Sequence, residues 1–136
     1  MFKTKPLVDK NLPNPQQIPP LALAYLGDAV YELAVRCYLL KQPQLKVNNL
    51  HCAAISLVCA DRQSTLLAQI EPLLSEEELA IYKRGRNAKA GHQPSSTSIG
   101  AYRRATGLEA LIGYLYLNQQ QERLEQIFEI LFADLI

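Results

Sequence analysis

LAYLGDAVYEL, residues 23–33, decides how the rest of the chain reads, because it has the spacing of a buried helix and an interruption that a buried helix does not need. From Leu21 to Leu40 apolar side chains recur at steps of three and four: Leu23, Leu26, Val30, Leu33, Ala34, Cys37 and Leu40. That is a helical pattern, with Pro20 suited to the first turn and Pro43 beyond the end. Gly27 and Asp28 stand in its middle. A glycine inside a helix costs roughly 1 kcal/mol relative to alanine, and a buried carboxylate without a partner costs more or takes up a proton. One resolution puts Asp28 at the edge of the stripe, in a solvated row with Glu32 and Arg36, the latter two forming a helix ion pair. The other requires a close neighbouring helix and a partner for the charge.

TGLEALIGYLYL, residues 106–117, repeats the anomaly: Glu109 lies in an apolar run, with Gly107 beside it and Gly113 one turn on. Helices that each pair a carboxylate with glycine can cross closely, since missing side chains let backbones approach, and such a crossing brings Asp28 near Glu109. Two carboxylates held together repel unless a proton or a cation lies between them. Hard oxygen ligands favour magnesium, which keeps several waters and takes one or two protein carboxylates. A metal so held activates water and stabilises charge on a leaving oxygen, which is what phosphoryl chemistry needs. Spacing alone also allows glycines and acids to face opposite sides.

Between Glu78 and Glu109 there is no acidic residue, while Lys83, Arg84, Arg86, Lys89, Arg103 and Arg104 place six of the fourteen basic side chains there. Asn87, His92, Ser95, Ser96 and Thr97 add hydrogen-bonding groups. Such a segment suits contact with a phosphate backbone without reading of bases, and grip on duplex RNA through phosphates and 2′-hydroxyls is compatible with it. The formal net charge of +1 offers no long-range steering, so local clustering has to supply the attraction.

At 136 residues, 49% hydrophobic and 20% charged, the chain reads as one globular domain rather than a disordered regulator. Residues 1–20 hold five of the eight prolines and read as an extended N-terminal arm, leaving 21–136 as the domain. The N-terminus has no apolar stretch of signal-peptide length and no run suits a bilayer, which points to a cytoplasmic location. Cys37, Cys52 and Cys59 lack a C-x-x-C pair and read as small core residues, with His51 a weak hint of zinc. The spacing predicts a helical region over about 47–70 that is broken near Asp61, its face formed by His51, Ile55, Val58, Cys59, Leu66, Leu67 and Ile70. It predicts further helices over about 76–86, capped by Ser75 with Glu78, over 101–117, and over 121–135, with a loop at 87–100. No alternating strand pattern competes, so the fold class is all-α.

LAYLGDAVYEL resembles the first motif of ribonuclease III, a double-strand-specific endoribonuclease, and LEALIGYLYL resembles its closing motif. LALAYLGDAVYE (21–32), KRGRNAK (83–89) and YRRATGLEALIGYLYL (102–117) together are closer to the compact Mini-III branch, which has the nuclease domain without a separate double-stranded-RNA-binding domain. The likeness runs from about residue 21 to 133. It implies the all-helical ribonuclease III domain, a homodimer with first-motif helices at the interface, and magnesium, with manganese able to substitute. It further implies cleavage of duplex RNA to 5′-phosphate and 3′-hydroxyl ends, in maturation of precursor 23S ribosomal RNA in a bacterial cytoplasm or a plastid.

By the same resemblance Asp28 and Glu109 are the metal-holding and catalytic residues, and the KRGRNAK stretch, with Lys83, Arg84, Arg86, Asn87 and Lys89, binds RNA; Arg103 and Arg104, from the same acid-free segment, read as further RNA contacts rather than core residues. Ala24 and Thr106 replace two acids of standard ribonuclease III, as they do in the Mini-III branch, so the metal site is thinner and holds more water. Two rivals stand beside this reading: a non-catalytic RNA-binding or ribosome-assembly protein on the same fold, and a helical interaction module without RNA.

Overall fold

A helix that is apolar on every side has to be central, and in the computed structural model that helix is the one carrying Glu109. The structure describes residues 12–41, 60–89 and 98–133, together with Leu50, Cys52 and Ile55. These form α1 (Pro20–Leu39), α2 (Ala60–Ile70), α3 (Glu76–Asn87), α4 (Ile99–Leu117) and α5 (Gln121–Leu131), with one-turn 3-10 helices at Pro15–Gln17 and Glu71–Leu73. No strand occurs among the described residues. Every residue of α4 from Ala110 to Tyr116 is buried, and α1, α3 and α2 pack around it in decreasing extent.

Glycines set how closely those helices approach. A Cβ added at Gly27 would overlap the carbonyl oxygen of Glu109 and come within 2.9 Å of the Gly113 nitrogen. One added at Gly113 would overlap the carbonyl oxygen of Leu23. So α1 and α4 cross backbone against backbone. On another side of α4, Gly107 lies against Tyr82, and a Cβ at Gly85 would be 2.7 Å from that of Ala110. The second crossing seats α3.

The buried stripe of α1 is Leu23, Ala24, Gly27, Val30, Tyr31, Ala34, Val35, Tyr38 and Leu39. It shares only Leu23, Val30 and Ala34 with the set expected from spacing. Leu33 and Leu40 are 48% and 70% exposed, because the core selects the side of α1 that carries Tyr31 and Tyr38. Tyr31 and Tyr38 pack on Phe132, with ring centroids 5.9 Å and 4.7 Å away. Phe132 in turn stacks on Phe128 at 5.5 Å. α5 ends at Leu131 with Phe132 as its C-cap, short of the expected 135, and Leu135 lies outside the described residues.

Other boundaries shift for local reasons. The Ser98 hydroxyl accepts from the Ala101 amide at 3.1 Å, so α4 begins at Ile99 and Gly100 belongs to its first turn rather than to the preceding loop. Ser75 and Glu78 form the reciprocal cap expected of them. Glu78 also receives Arg123 Nε and Nη2 at 2.7 and 2.8 Å, and Arg123 Nη2 donates to the Leu73 carbonyl at 2.7 Å. Burial acts to raise the Glu78 pKa, but the Arg123 bonds and the Ser75 amide outweigh it and leave it lowered.

The end of the proline-rich arm is anchored: Gln16 Nε2 donates to Glu77 and to the Tyr114 hydroxyl, each at 3.3 Å. Residues 1–11, 90–97 and the junction before Ala60 lie outside the described residues, as do His51, Val58, Cys59, His92, Ser95, Ser96 and Thr97. Cys52 is exposed and Cys37 half-buried, against the core role expected of them. Ile55 is 55% exposed rather than core-facing. Leu50 packs toward the core.

The α1–α4 crossing makes the outcome of a glycine-to-alanine change depend on position. Gly27→Ala and Gly113→Ala should each cost about 3 kcal/mol or more, the upper end for overpacking, although alanine stabilises a free helix by roughly 1 kcal/mol. At Gly100 an added Cβ meets only the guanidinium end of Arg104, at 3.1 Å. Denaturant melts should therefore show a large loss for the first two variants and none for Gly100→Ala.

Candidate active site

The α1–α4 crossing places Asp28 beside Glu109, since Gly27 is the residue pressed on the Glu109 backbone. The two carboxyl groups share a hydrogen bond. Such a bond requires a proton, and the half-buried Glu109 is the member whose environment holds it. Burial and then the Asp28 charge and hydrogen bond push its pKa from 4.5 up to about 8, while a bond from Gln63 pulls the other way. Gln63 Nε2 donates to Glu109 Oε2 at 3.2 Å. Asp28 is exposed, so the pair is reachable from solvent.

The solvated row is present as well, with Asp28 exposed at its start and also reaching Glu109. Arg36 Nη2 meets Glu32 Oε1 at 2.6 Å on the open side of α1. Ala24 is buried in the core. Thr106 donates its hydroxyl proton to the Tyr102 carbonyl at 3.0 Å within its own helix. Among the described residues no group of three or more His, Cys, Asp or Glu side chains forms a metal cage. The donor set is two carboxyls, and a hard cation that keeps its waters matches it.

The basic residues are distributed over two helices. Gly85 faces α4, and Lys83, Arg84 and Asn87 are exposed at the end of α3, with Lys89 exposed just after it. Arg86 is half-buried, its guanidinium 5.7 Å from the Tyr82 ring centre and its Nε donating to Asn87 Oδ1 at 3.1 Å. Arg103 and Arg104 are exposed on the first turns of α4, and Arg104 Nε donates to Ser64 Oγ at 2.6 Å. Burial raises the Tyr82 pKa further than the nearby charges of Arg86 and Arg104 lower it. Two of the basic side chains thus have structural partners as well as solvent access.

Sequence reasoning passed over Gln63. The available signal was its place three residues before Leu66 and four before Leu67, on the core side of α2, where a polar residue is out of pattern.

The ribonuclease III domain model matches residues 21–120, which includes both acids and the basic segment. The chain belongs to the ribonuclease III family. It is 52% identical over 114 residues to the Mini-ribonuclease 3 of Desulfitobacterium hafniense (strain Y51), covering 84% of this chain and 72% of that one. Identity to the Mini-ribonuclease 3 of Clostridium tetani (strain Massachusetts / E88) is 47%, over 85% of this chain and 77% of the relative. The crystal structure of protein FN1578 from Fusobacterium nucleatum matches with a TM-score of 0.80 at 35% identity, over 89% of this chain and 97% of that one. As a ribonuclease III of the Mini-ribonuclease 3 branch, the chain is an endoribonuclease. No helix among the described residues is long and apolar enough to cross a membrane.

The shared proton gives this ribonuclease III domain a pH-dependent stability. Glu109 titrates near 4.5 when unfolded and near 8 when folded. The folded state therefore binds this proton more tightly, and the stabilisation is fully present below 4.5 and lost as pH rises through about 8. In chelator, the contribution to the melting temperature should decline across that window. Glu109→Gln, which keeps the shape and cannot ionise, should remove that part of the decline.

Proposed function

We propose that the chain is a magnesium-dependent endoribonuclease that cuts double-stranded RNA as a homodimer. The observation that carries this reading is the pair of carboxyls from distant helices, forced together by backbone contact and sharing a hydrogen bond. A divalent cation can take the place of the proton between them. Asp28 and Glu109 would hold magnesium, or manganese in its place, which when bound supplies an activated water and stabilises charge on the leaving oxygen. Asp28 presents its carboxylate to solvent, and Glu109 gives up its proton to become a ligand. Lys83, Arg84, Asn87, Lys89, Arg103 and Arg104 are exposed and suit contacts to phosphate oxygens, with Arg86 at their inner margin. Precursor 23S ribosomal RNA, in a bacterial cytoplasm or a plastid, is the substrate we assign from the resemblance to the Mini-III branch.

The homodimer is supported by the outer face of α1. Tyr25, Leu33 and Leu40 are 86%, 48% and 70% exposed, and Ala22 and Ala29 extend the same stripe. Apolar side chains exposed in register along one helix suit association with another protein surface. A second copy of α1 offers a matching stripe under two-fold symmetry.

Two measurements test this reading. Cleavage of a structured RNA duplex with magnesium should fall about a hundredfold or more in Asp28→Asn and in Glu109→Gln, the scale for losing a group that stabilises developing charge. Unchanged cleavage in both would defeat the assignment. Leu33→Asp, placing a charge in the stripe, should halve the mass seen by light scattering. A wild-type mass for that variant would remove the α1 interface.

A further inference from the structure

α2 buries a carboxamide where its pattern calls for an apolar side chain. Gln63, Leu66, Leu67 and Ile70 lie along its core-facing side, none more than 1% exposed. The three apolar members join the hydrophobic core. Gln63 instead donates Nε2–H to Glu109 Oε2 at 3.2 Å. Burying an amide is costly unless its hydrogen bonds offset the lost water, and leucine in the same stripe would carry no such cost. The next residue, Ser64, accepts from Arg104 at 2.6 Å. Consecutive side chains of α2 are therefore bonded to α4, which fixes how Gln63 meets Glu109.

The chemistry of an amide suits that position. An uncharged N–H can donate to a carboxyl oxygen in either protonation state, and it puts no positive charge beside a cation site, as lysine or arginine would. A carboxyl that must bind a cation together with Asp28 also has to be held in one orientation. Groups that hydrogen-bond to ligating carboxylates supply such orientation.

We propose that Gln63 is a positioning residue for metal capture, its buried amide fixing the Glu109 carboxyl in the orientation that receives a divalent cation jointly with Asp28. This rests on the Asp28–Glu109 metal site proposed above. Gln63 acts through Glu109, so its loss affects metal affinity and turnover rather than RNA binding.

The test uses the full chain with Gln63→Leu and Gln63→Met, which remove the donor and keep apolar bulk, the second at nearly the same length. Manganese binding without RNA is followed by electron paramagnetic resonance, beside thermal melts and steady-state cleavage of duplex RNA. The expected result is a manganese Kd raised about tenfold or more and a lowered kcat, with RNA KM and melting temperature close to wild type. Wild-type manganese affinity in either folded variant overturns the proposal, and so does failure of both variants to fold, which makes the amide a requirement of the core. Glu109→Gln is the reference. If it weakens manganese binding and the Gln63 variants do not, only the role of Gln63 is lost. If Glu109→Gln also binds manganese normally, the metal site falls and this inference with it.

Discussion

The contact between the backbones of α1 and α4 at Gly27 and Gly113 is the constraint from which the rest of the molecule is arranged. No side chain separates the helices there, so their relative position is set by hard atomic contact. Because Asp28 follows Gly27 and Glu109 is the residue whose carbonyl Gly27 touches, the distance between the two acids is decided by the same contact. Propensity is given up at the glycines so that chemistry can be placed beside them. Gly85 and Gly107 repeat the device on another side of α4 and bring the basic end of α3 onto the same central helix.

Holding two acids together creates an electrostatic problem, and the fold answers it with a proton and an amide. Desolvation and the Asp28 charge keep Glu109 neutral well above the ordinary carboxyl range, while Gln63 binds one of its oxygens. The neutral state removes most of the repulsion. It also lets the two acids stand side by side in the folded chain without a counter-ion.

Much of this was legible in the residues, for specific reasons. Helix existence followed from apolar spacing and from caps such as Ser75 with Glu78, where local chemistry determines local structure. The meeting of Asp28 with Glu109 was legible because glycine and acid occur together twice. What escaped was the choice among faces. In α1 the apolar spacing counted Leu33 and Leu40 toward the core, although Arg36 stands three residues after the one and four before the other; Tyr31 and Tyr38, on the opposite side, turn inward instead. Tertiary partners, here Phe128 and Phe132, make that choice. Gly107 read as part of the crossing with α1, yet it serves α3 through Tyr82. Gln63 was invisible for the converse reason, since a buried amide looks like a surface residue until its acceptor is known.

Glu78 has a different kind of consequence. Its carboxylate closes the first turn of α3 by accepting from the Ser75 amide and at the same time grips Arg123 of α5, whose guanidinium also holds the Leu73 carbonyl. Peeling α5 away therefore leaves the Glu78 carboxylate without its counter-charge and frees the Leu73 carbonyl, while the Ser75–Glu78 cap stays in place. Loss of the last helix is thus not a local event: it removes the charge partner held at the start of α3, and the protection of amide hydrogens there should fall with it.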